Sequence, residues 1–504
     1  MNSNKDPDKK FVLPGVRYIF AITGFLGFCT IYAIRVNINV AIVAMINSTV
    51  VYNQDNKTSS DECTDSSLPI YTNSTTPSQK TGEFLWSPKM QGVILGAFYY
   101  GYCISQIPGG RLAEIFSGKW VFGIGVGITA LLTLITPLAA QYHVGLLITI
   151  RALEGLAQGV TMPAMHAMLG RWAPDSEKGI LNCLIYSGIN IGTVAAMPLT
   201  GYLCNTDFLG GWPSAFYIIG IFGCLWCILW FTLVTDTPLT HPFISKRELK
   251  YITTNQKIEL KSELNPIPWM KVWTSIPFWA LIVTSVGQDW CFYTIINDLP
   301  TFFATILHFK MEQTGFLSSF PYLMQTFVGM STAFIADTLI RKEMVTTNFV
   351  RKFCNSVASF GTSLGLIGVC LSACNVTMNV SFFIFSLAIG GFCYSGYMLT
   401  HLDLSPEYAG TLMGITNTIS NLAGFIAPLL VGFLTDNQQT LHQWRIVFGI
   451  TAIILSLSGV VYIFFSSSKK QNWGRAESSE SLIYTGLSTT QTNQHENEYG
   501  AINS

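Results

Sequence analysis

Charge is what this sequence has least of. Of 504 residues only 11% are Asp, Glu, Lys or Arg, against roughly a quarter in an ordinary soluble domain. The 28 basic and 28 acidic side chains cancel, so there is no basic excess to hold a nucleic acid and no acidic block to act as an interaction tail. Signatures of catalysis are missing as well. No glycine-rich loop cradles a phosphate, no His/Cys/Asp/Glu group has metal-ligand spacing, and no nucleophile is paired with a base by spacing. The chain is therefore expected not to be an enzyme, to carry no metal and no cofactor beyond a transported ion, and to bind no nucleic acid. A cleaved leader is not expected either. The first sixteen residues are hydrophilic, with Lys5, Asp6, Asp8, Lys9 and Lys10, and the apolar run after them is too long for a signal-peptide core.

What is abundant is apolar sequence. Half of the residues are hydrophobic and the mean hydropathy is +0.41. A bilayer core needs about twenty apolar residues per helix, and twelve segments qualify: 17–46, 90–111, 119–141, 144–169, 179–204, 213–234, 276–303, 315–338, 352–374, 380–401, 411–435 and 445–466. They are too long and too little alternating for barrel strands, so backbone amides in lipid must be satisfied helically. The expectation is an all-α membrane protein of twelve transmembrane helices in two pseudo-symmetric six-helix bundles. The divisions are a cytoplasmic N-terminus (1–16), a first bundle (17–234) with a lumenal loop (47–89), a cytoplasmic linker (235–275), a second bundle (276–466) and a polar, disordered cytoplasmic tail (467–504). A weak repeat supports duplication: Gly110-Arg-Leu-Ala-Glu114 follows segment two, and Phe334-Ile-Ala-Asp337 follows segment eight.

Basic residues gather at the N-terminus, around Arg171 and Lys178, from Arg341 to Lys352, in the linker and at Lys469 and Lys470. That bias puts both termini in the cytoplasm. Glycosylation sequons at Asn47, Asn56, Asn73, Asn375 and Asn379 fall on the opposite side. Most of the twelve cysteines lie inside apolar runs as small buried residues, whereas Cys63 and Cys374 both fall in outer loops where a bridge is chemically feasible.

A charge at mid-depth in a bilayer costs on the order of 2.5–3.5 kcal/mol and calls for a partner or a purpose. Arg35 lies inside segment one beside Asn37 and Asn39, which suits either a cationic contact for an anionic substrate or an internal ion pair. Arg151, Glu154 and Gln158 stack on one face of segment four, as a local ion pair or as part of proton or substrate coupling. His166, after Pro163, is either a hydrogen-bonded structural residue or a relay. Segment seven contains Asp289 near mid-depth and Asp298 near its end. Glu114 and Asp337, each beside basic residues at a cytoplasmic helix end, read as conformational latches.

Several stretches bear a family likeness: Tyr32-Ala-Ile-Arg35, Gln106-Ile-Pro-Gly-Gly110, Arg151-Ala-Leu-Glu154, Pro163-Ala-Met-His166, Arg171-Trp-Ala-Pro174, Gly315-Phe-Leu-Ser-Ser-Phe-Pro321 and the run from Tyr408 to Asn417. The chain resembles, from about residue 17 to 473, the sialin-type anion transporters of the major facilitator superfamily. The resemblance implies secondary active transport of small organic anions, acidic sugars or acidic amino acids, by proton-coupled alternating access. Its alternative is sodium-dependent phosphate or organic-anion cotransport at the plasma membrane. The resemblance carries over Arg35, Glu154 and His166 as positions that matter, and together with the buried polar residues read above the expectation is substrate contact by Arg35, Asn37, Arg151 and His166 and proton coupling by Glu154 and Asp289. Two positions depart from the resemblance. Gln158 stands where proton-coupled relatives carry glutamate, and Asp289 where vesicular glutamate carriers have arginine and sialin has asparagine. In the tail, Tyr484 and Leu487 match a tyrosine-based sorting signal. That pattern implies a clathrin adaptor as partner and a lysosomal or endosomal address, set against the plasma membrane.

Overall fold

The computed structural model describes residues 15–46, 82–86, 88–256, 267–307, 311–435 and 440–471. Cys63, the sequons at Asn47, Asn56 and Asn73, and the Tyr484–Leu487 signal lie outside the described residues.

Long apolar helices account for almost all of the described chain. They are α1 Val16–Met45, α2 Pro88–Leu112, α3 Gly118–Tyr142, α4 Val144–Trp172, α5 Lys178–Asn205, α6 Trp212–Leu233, α7 Ile276–Thr305, α8 Met311–Arg341, α9 Thr347–Leu371, α10 Val376–Leu404, α11 Ala409–Thr435 and α12 Leu441–Phe465. Ten helical runs among the described residues are long and apolar enough to cross a bilayer. One of them, Met90–Tyr142, has 53 residues and would reach about 80 Å if straight, far beyond a hydrocarbon core of about 30 Å. It doubles back instead. After a wider turn at Ala113–Ser117, Ser117 takes extended dihedrals (φ −171°, ψ 122°) and its hydroxyl caps α3 by accepting from the Trp120 amide. Counting that run as α2 and α3 and adding α7 gives the twelve helices expected.

The helices pair twice over. In the first half α1 packs on α5 and α6, α2 on α4, and α3 on α4 and α6. In the second, α7 packs on α11 and α12, α8 on α10, and α9 on α10 and α12. Adding six to each label maps one set onto the other, as expected of a duplicated six-helix unit. The halves meet through α2 on α11 and α5 on α8, a pair related by the same exchange. Close approach within a half relies on small residues: a Cβ on Gly155 of α4 would strike the Phe98 carbonyl of α2.

Outward faces are apolar, unlike those of a water-soluble bundle, and many polar side chains are turned inward among the apolar core. On α3 the exposed residues include Ile124, Ile128, Leu131, Ile135 and Leu138, while Thr129, Thr133 and Thr136 are buried. Three helices are broken near their middles. α4 turns at Val160. α10 unwinds into tight turns at Gly391–Tyr394 and Tyr397–Leu399. α11 is interrupted between Ser420 and Ala423.

Of the linker, the helix Lys246–Gln256 packs under the first half. Glu248, which is buried, accepts from the Val16 and Arg17 amides at 3.0 and 3.2 Å. It thereby caps a helix whose own N-cap, Gly15, has no side chain to do so.

Candidate functional site

Arg35 is buried between the halves among aromatic rings. Its guanidinium lies 5.4 Å from the ring centre of Tyr32 on its own helix and 5.0 Å from those of Phe98, Tyr99 and Tyr102 on α2. From the second half, Tyr293 of α7 accepts a hydrogen bond from Arg35 Nη2 at 3.3 Å and passes its own proton to Asn421 Oδ1 at the break in α11. Among the described residues no carboxylate lies in ion-pair range of Arg35. Ring faces stabilise a cation without neutralising it. Arg35 is therefore left as a desolvated positive charge outside any close ion pair among the described residues, its charge felt only at longer range by Asp289 of the second half, a state suited to receiving an anion. Arg151 is close by and shares the Phe98 ring at 5.1 Å.

Arg151 itself is committed elsewhere. It forms a buried pair with Glu154 one turn on, and the second carboxylate oxygen accepts from Thr133 and Thr136 at 3.1 and 3.2 Å. The local ion pair of the first reading is present, and with the two threonines it gives the carboxylate three donors. Gln158 donates to the Ile31 carbonyl of α1 at 2.9 Å, a bond between helices that an ionised glutamate would be unable to donate. Asn37 points away from Arg35, toward α5, where it accepts from Thr200 at 3.0 Å.

Asp289, on α7, borders a small cavity with Ser285, Tyr397, His401, Asn417 and Ser420. Ser420 donates to one of its carboxylate oxygens. No lysine or arginine among the described residues is paired with it, which sets it apart from Glu154. The side chain of Asp298 lies outside the described residues.

Both candidate latches bridge the halves, and they do so symmetrically. Glu114, at the end of α2, accepts from the Thr411 amide at 2.6 Å and the Thr411 hydroxyl at 2.7 Å, at the start of α11. Asp337, near the end of α8, accepts from the Gly179 and Ile180 amides at 3.2 and 2.8 Å, at the start of α5. Each carboxylate thus caps a helix N-terminus of the opposite half, where free amides and the helix dipole favour negative charge. Nearby, Arg171 pairs with Asp236, and Arg351 bonds Asp403 at 2.8 Å. Arg17 bonds Glu177 at 2.8 Å and Glu248 at 3.0 Å. On the linker helix, burial raises the Tyr251 phenol above its usual range.

His166 is also a bridge between halves. Its Nδ1 meets the Tyr186 hydroxyl, and its Nε2 faces the Met398 carbonyl of α10 at 3.2 Å. His401 approaches the same carbonyl at 3.2 Å through Nδ1 and lies 5.4 Å ring to ring from His166. Among the sequons, Asn375 is exposed and caps α10. Asn379 requires a correction: it is fully buried, and its amide nitrogen donates to the Ala373 and Asn375 carbonyls at 2.8 and 3.0 Å, so no oligosaccharide fits there. Cys374 is in a disulfide, and the other ten described cysteines are free thiols.

Sequence reading missed Tyr293, Asn421, Ser420 and Ser285. A signal existed for two of them: Ser285 and Asp289, like Thr416 and Ser420, are spaced four apart and share a helix face.

A family model described as Major Facilitator Superfamily matches residues 20–428. Sialin of Ovis aries is 40% identical over 457 residues, covering 91% of this chain and 90% of that protein. A Drosophila melanogaster protein named as a putative inorganic phosphate cotransporter is 36% identical over 92% of this chain and 87% of its own length. Vesicular glutamate transporter 3 of Danio rerio is 35% identical over 92% and 75%. Among solved structures, the proton:xylose symporter XylE with a bound bromodeoxyglucose superposes with a TM-score of 0.65 at 14% identity, covering 90% of this chain and 97% of that one. FucP in its outward conformation gives 0.59 at 12%, covering 88% and 99%. These two likenesses speak for the fold.

Proposed function

Because the chain belongs to the Major Facilitator Superfamily, among the sialin-type anion transporters, and is a membrane transporter rather than an enzyme, we propose that it carries small organic anions of the acidic-sugar or acidic amino-acid class, coupled to protons. The observation that carries this reading is Arg35, a buried guanidinium walled by aromatic rings, outside any close ion pair among the described residues, and contacted from both halves. An anion arriving at Arg35 supplies the close negative charge it lacks. It also competes for the Arg35–Tyr293 bond, and so loosens a contact between the halves at the point where it binds.

Asp289 is the better placed of the two coupling acids, since Glu154 is held by three donors within the first half. A proton on Asp289 removes a charge that has no close ion pair among the described residues and that faces Arg35 only at longer range. In this scheme the helix-capping carboxylates Glu114 and Asp337 hold the charged end of the bundle shut while the opposite end admits substrate. Both termini face the cytoplasm, and an adaptor reading Tyr484 directs the protein to lysosomes or endosomes.

A second reading is sodium-dependent phosphate or organic-anion cotransport, favoured by neutral oxygens around Asp289 and by the relative named as a phosphate cotransporter. Proteoliposomes separate the two. Uptake of labelled sialic acid or glutamate under an imposed proton gradient, lost in Arg35→Gln, supports the first. Phosphate uptake that requires a sodium gradient replaces it with the second.

A further inference from the structure

The geometry around Asp289 points to a binding site for one monovalent metal cation of sodium size, held by Asp289 and Ser285 of α7 and by Asn417 and Ser420 of α11. That such a cation drives transport rests on the second, sodium-coupled reading above, in which Asp289 holds the cation in place of a proton; that it binds does not.

Four observations converge. First, Asp289 spends one carboxylate oxygen on Ser420 and has no lysine or arginine paired with it among the described residues. Second, Ser285 lies one turn before Asp289 on the same face of α7, lines the same cavity, and is only 5% exposed. Among the described residues its hydroxyl has no hydrogen-bond partner, and a buried polar group without a partner calls for a water or an ion. Third, the Asn417 amide nitrogen donates to the Tyr102 hydroxyl at 3.4 Å, which turns the use of that side chain's carbonyl oxygen over to the cavity it lines. Fourth, the first part of α11 ends at Ser420, so the negative end of its dipole lies at the site. Across the cavity α10 is unwound, with Tyr397 and Met398 on a tight turn. Broken helices whose C-terminal ends and loosened backbone meet near mid-membrane are how transporters hold sodium.

The donor set chooses the ion. Its atoms are oxygens, one carboxylate and the rest neutral, and hard oxygen ligands select against soft transition metals. Among the described residues no three His, Cys, Asp or Glu gather as a metal site, and His401 is engaged with Thr416 and the Met398 carbonyl. A single carboxylate balances a single charge, where calcium sites recruit several acids among six to eight oxygens. The cavity has room for a water-sized guest. A proton alone would satisfy Asp289 but would leave the Ser285 hydroxyl without a partner.

The Arg35 cluster and this cavity are neighbours joined by hydrogen bonds. Tyr102 belongs to the Arg35 cluster and bonds Asn417, and Tyr293 bonds both Arg35 and Asn421. Cation and anion would therefore bind within one connected network, each easing the charge of the other.

The test is thermal unfolding of the purified full-length protein in sodium, potassium and choline chloride at matched ionic strength, because a ligand that binds the folded state raises Tm saturably. The expected result is a sodium-specific rise, weakened about tenfold in apparent affinity by Ser285→Ala and abolished by Asp289→Asn. Both variants should match the parent in choline, which verifies their folding. Equal Tm in the three salts, an equal potassium effect, or a sodium effect intact in Asp289→Asn overturns the site. If Asp289→Asn does not fold, equilibrium binding of radioactive sodium to the parent and to Ser285→Ala decides in its place. Sodium-free, proton-driven anion uptake without any sodium effect on Tm would remove the site and leave the proton-coupled transport reading standing. A sodium effect in a protein that moves no anion would do the reverse.

Discussion

The most informative residues are two arginines with opposite fates. Arg151 and Glu154 are 3% and 1% exposed and form a buried ion pair, so removing one partner strands the charge of the other. Arg151→Met should lower stability by about 3–5 kcal/mol, and Arg151→Met with Glu154→Gln should recover most of it, since replacing both members of a buried pair is often nearly neutral. Unfolding midpoints of the purified variants check this, and equal losses in the single and double variants would contradict it. Arg35 has no such partner, so Arg35→Gln should leave the midpoint close to the parent while anion uptake disappears. The spacing of three in Arg151-Ala-Leu-Glu154 made that pair readable from sequence, because helical neighbours are local. The rings around Arg35 were not readable, because they come from α2 and α7, and Tyr293 stands 258 positions away. Asn379 misled for the same reason: a sequon is a local pattern, and burial depends on the fold.

At the level of helices, the two capping carboxylates should act as a matched set. A hydrogen bond to a charged group contributes about 1.5–3 kcal/mol, and every 1.4 kcal/mol shifts an equilibrium about tenfold. Glu114→Ala and Asp337→Ala should each raise the fraction of molecules open at the charged end by about tenfold or more. Cys183 reports on it, because it is a fully buried free thiol of α5 lying against Gly329 of α8 in the other half. Its alkylation rate, followed by mass spectrometry, should rise in each variant and rise further in both together. Unchanged rates would mean that these caps merely finish helices. Twelve helices were countable from sequence because lipid demands about twenty apolar residues for each crossing. The breaks in α10 and α11 were not. Gly390, Gly391 and Gly396 hint at the first, but a glycine in a membrane helix serves close packing as often as unwinding, and the partners that stabilise the unwound form belong to other helices. Those breaks are where the cation site lies, so the part of the site least legible in sequence is the part built from interrupted helices.

At the scale of the whole molecule the issue is what lets the charged end close. Three backbones converge there without side chains between them. A Cβ on Gly410 of α11 would lie 3.0 Å from the Pro163 carbonyl of α4 and 3.1 Å from the Gly110 carbonyl of α2. A Cβ on Gly110 would in turn overlap the Gly410 carbonyl, which is backbone and has no rotamer by which to yield. Packed interfaces respond to such an overlap by taking another arrangement rather than by compressing. Gly110→Ala should therefore push the halves apart at the charged end while leaving each half intact. Its consequences differ from those of an ordinary destabilising substitution: Cys183 alkylation should accelerate, anion uptake should fall severely, and the unfolding midpoint should move little. Gly449→Ala is the control, because nothing lies within 4 Å of a Cβ at that position on α12, and it should change none of the three. If Gly110→Ala instead lowered the midpoint and left Cys183 protected, the contact would be part of a static core, and closure of this end by contact between α2 and α11 would have to be abandoned.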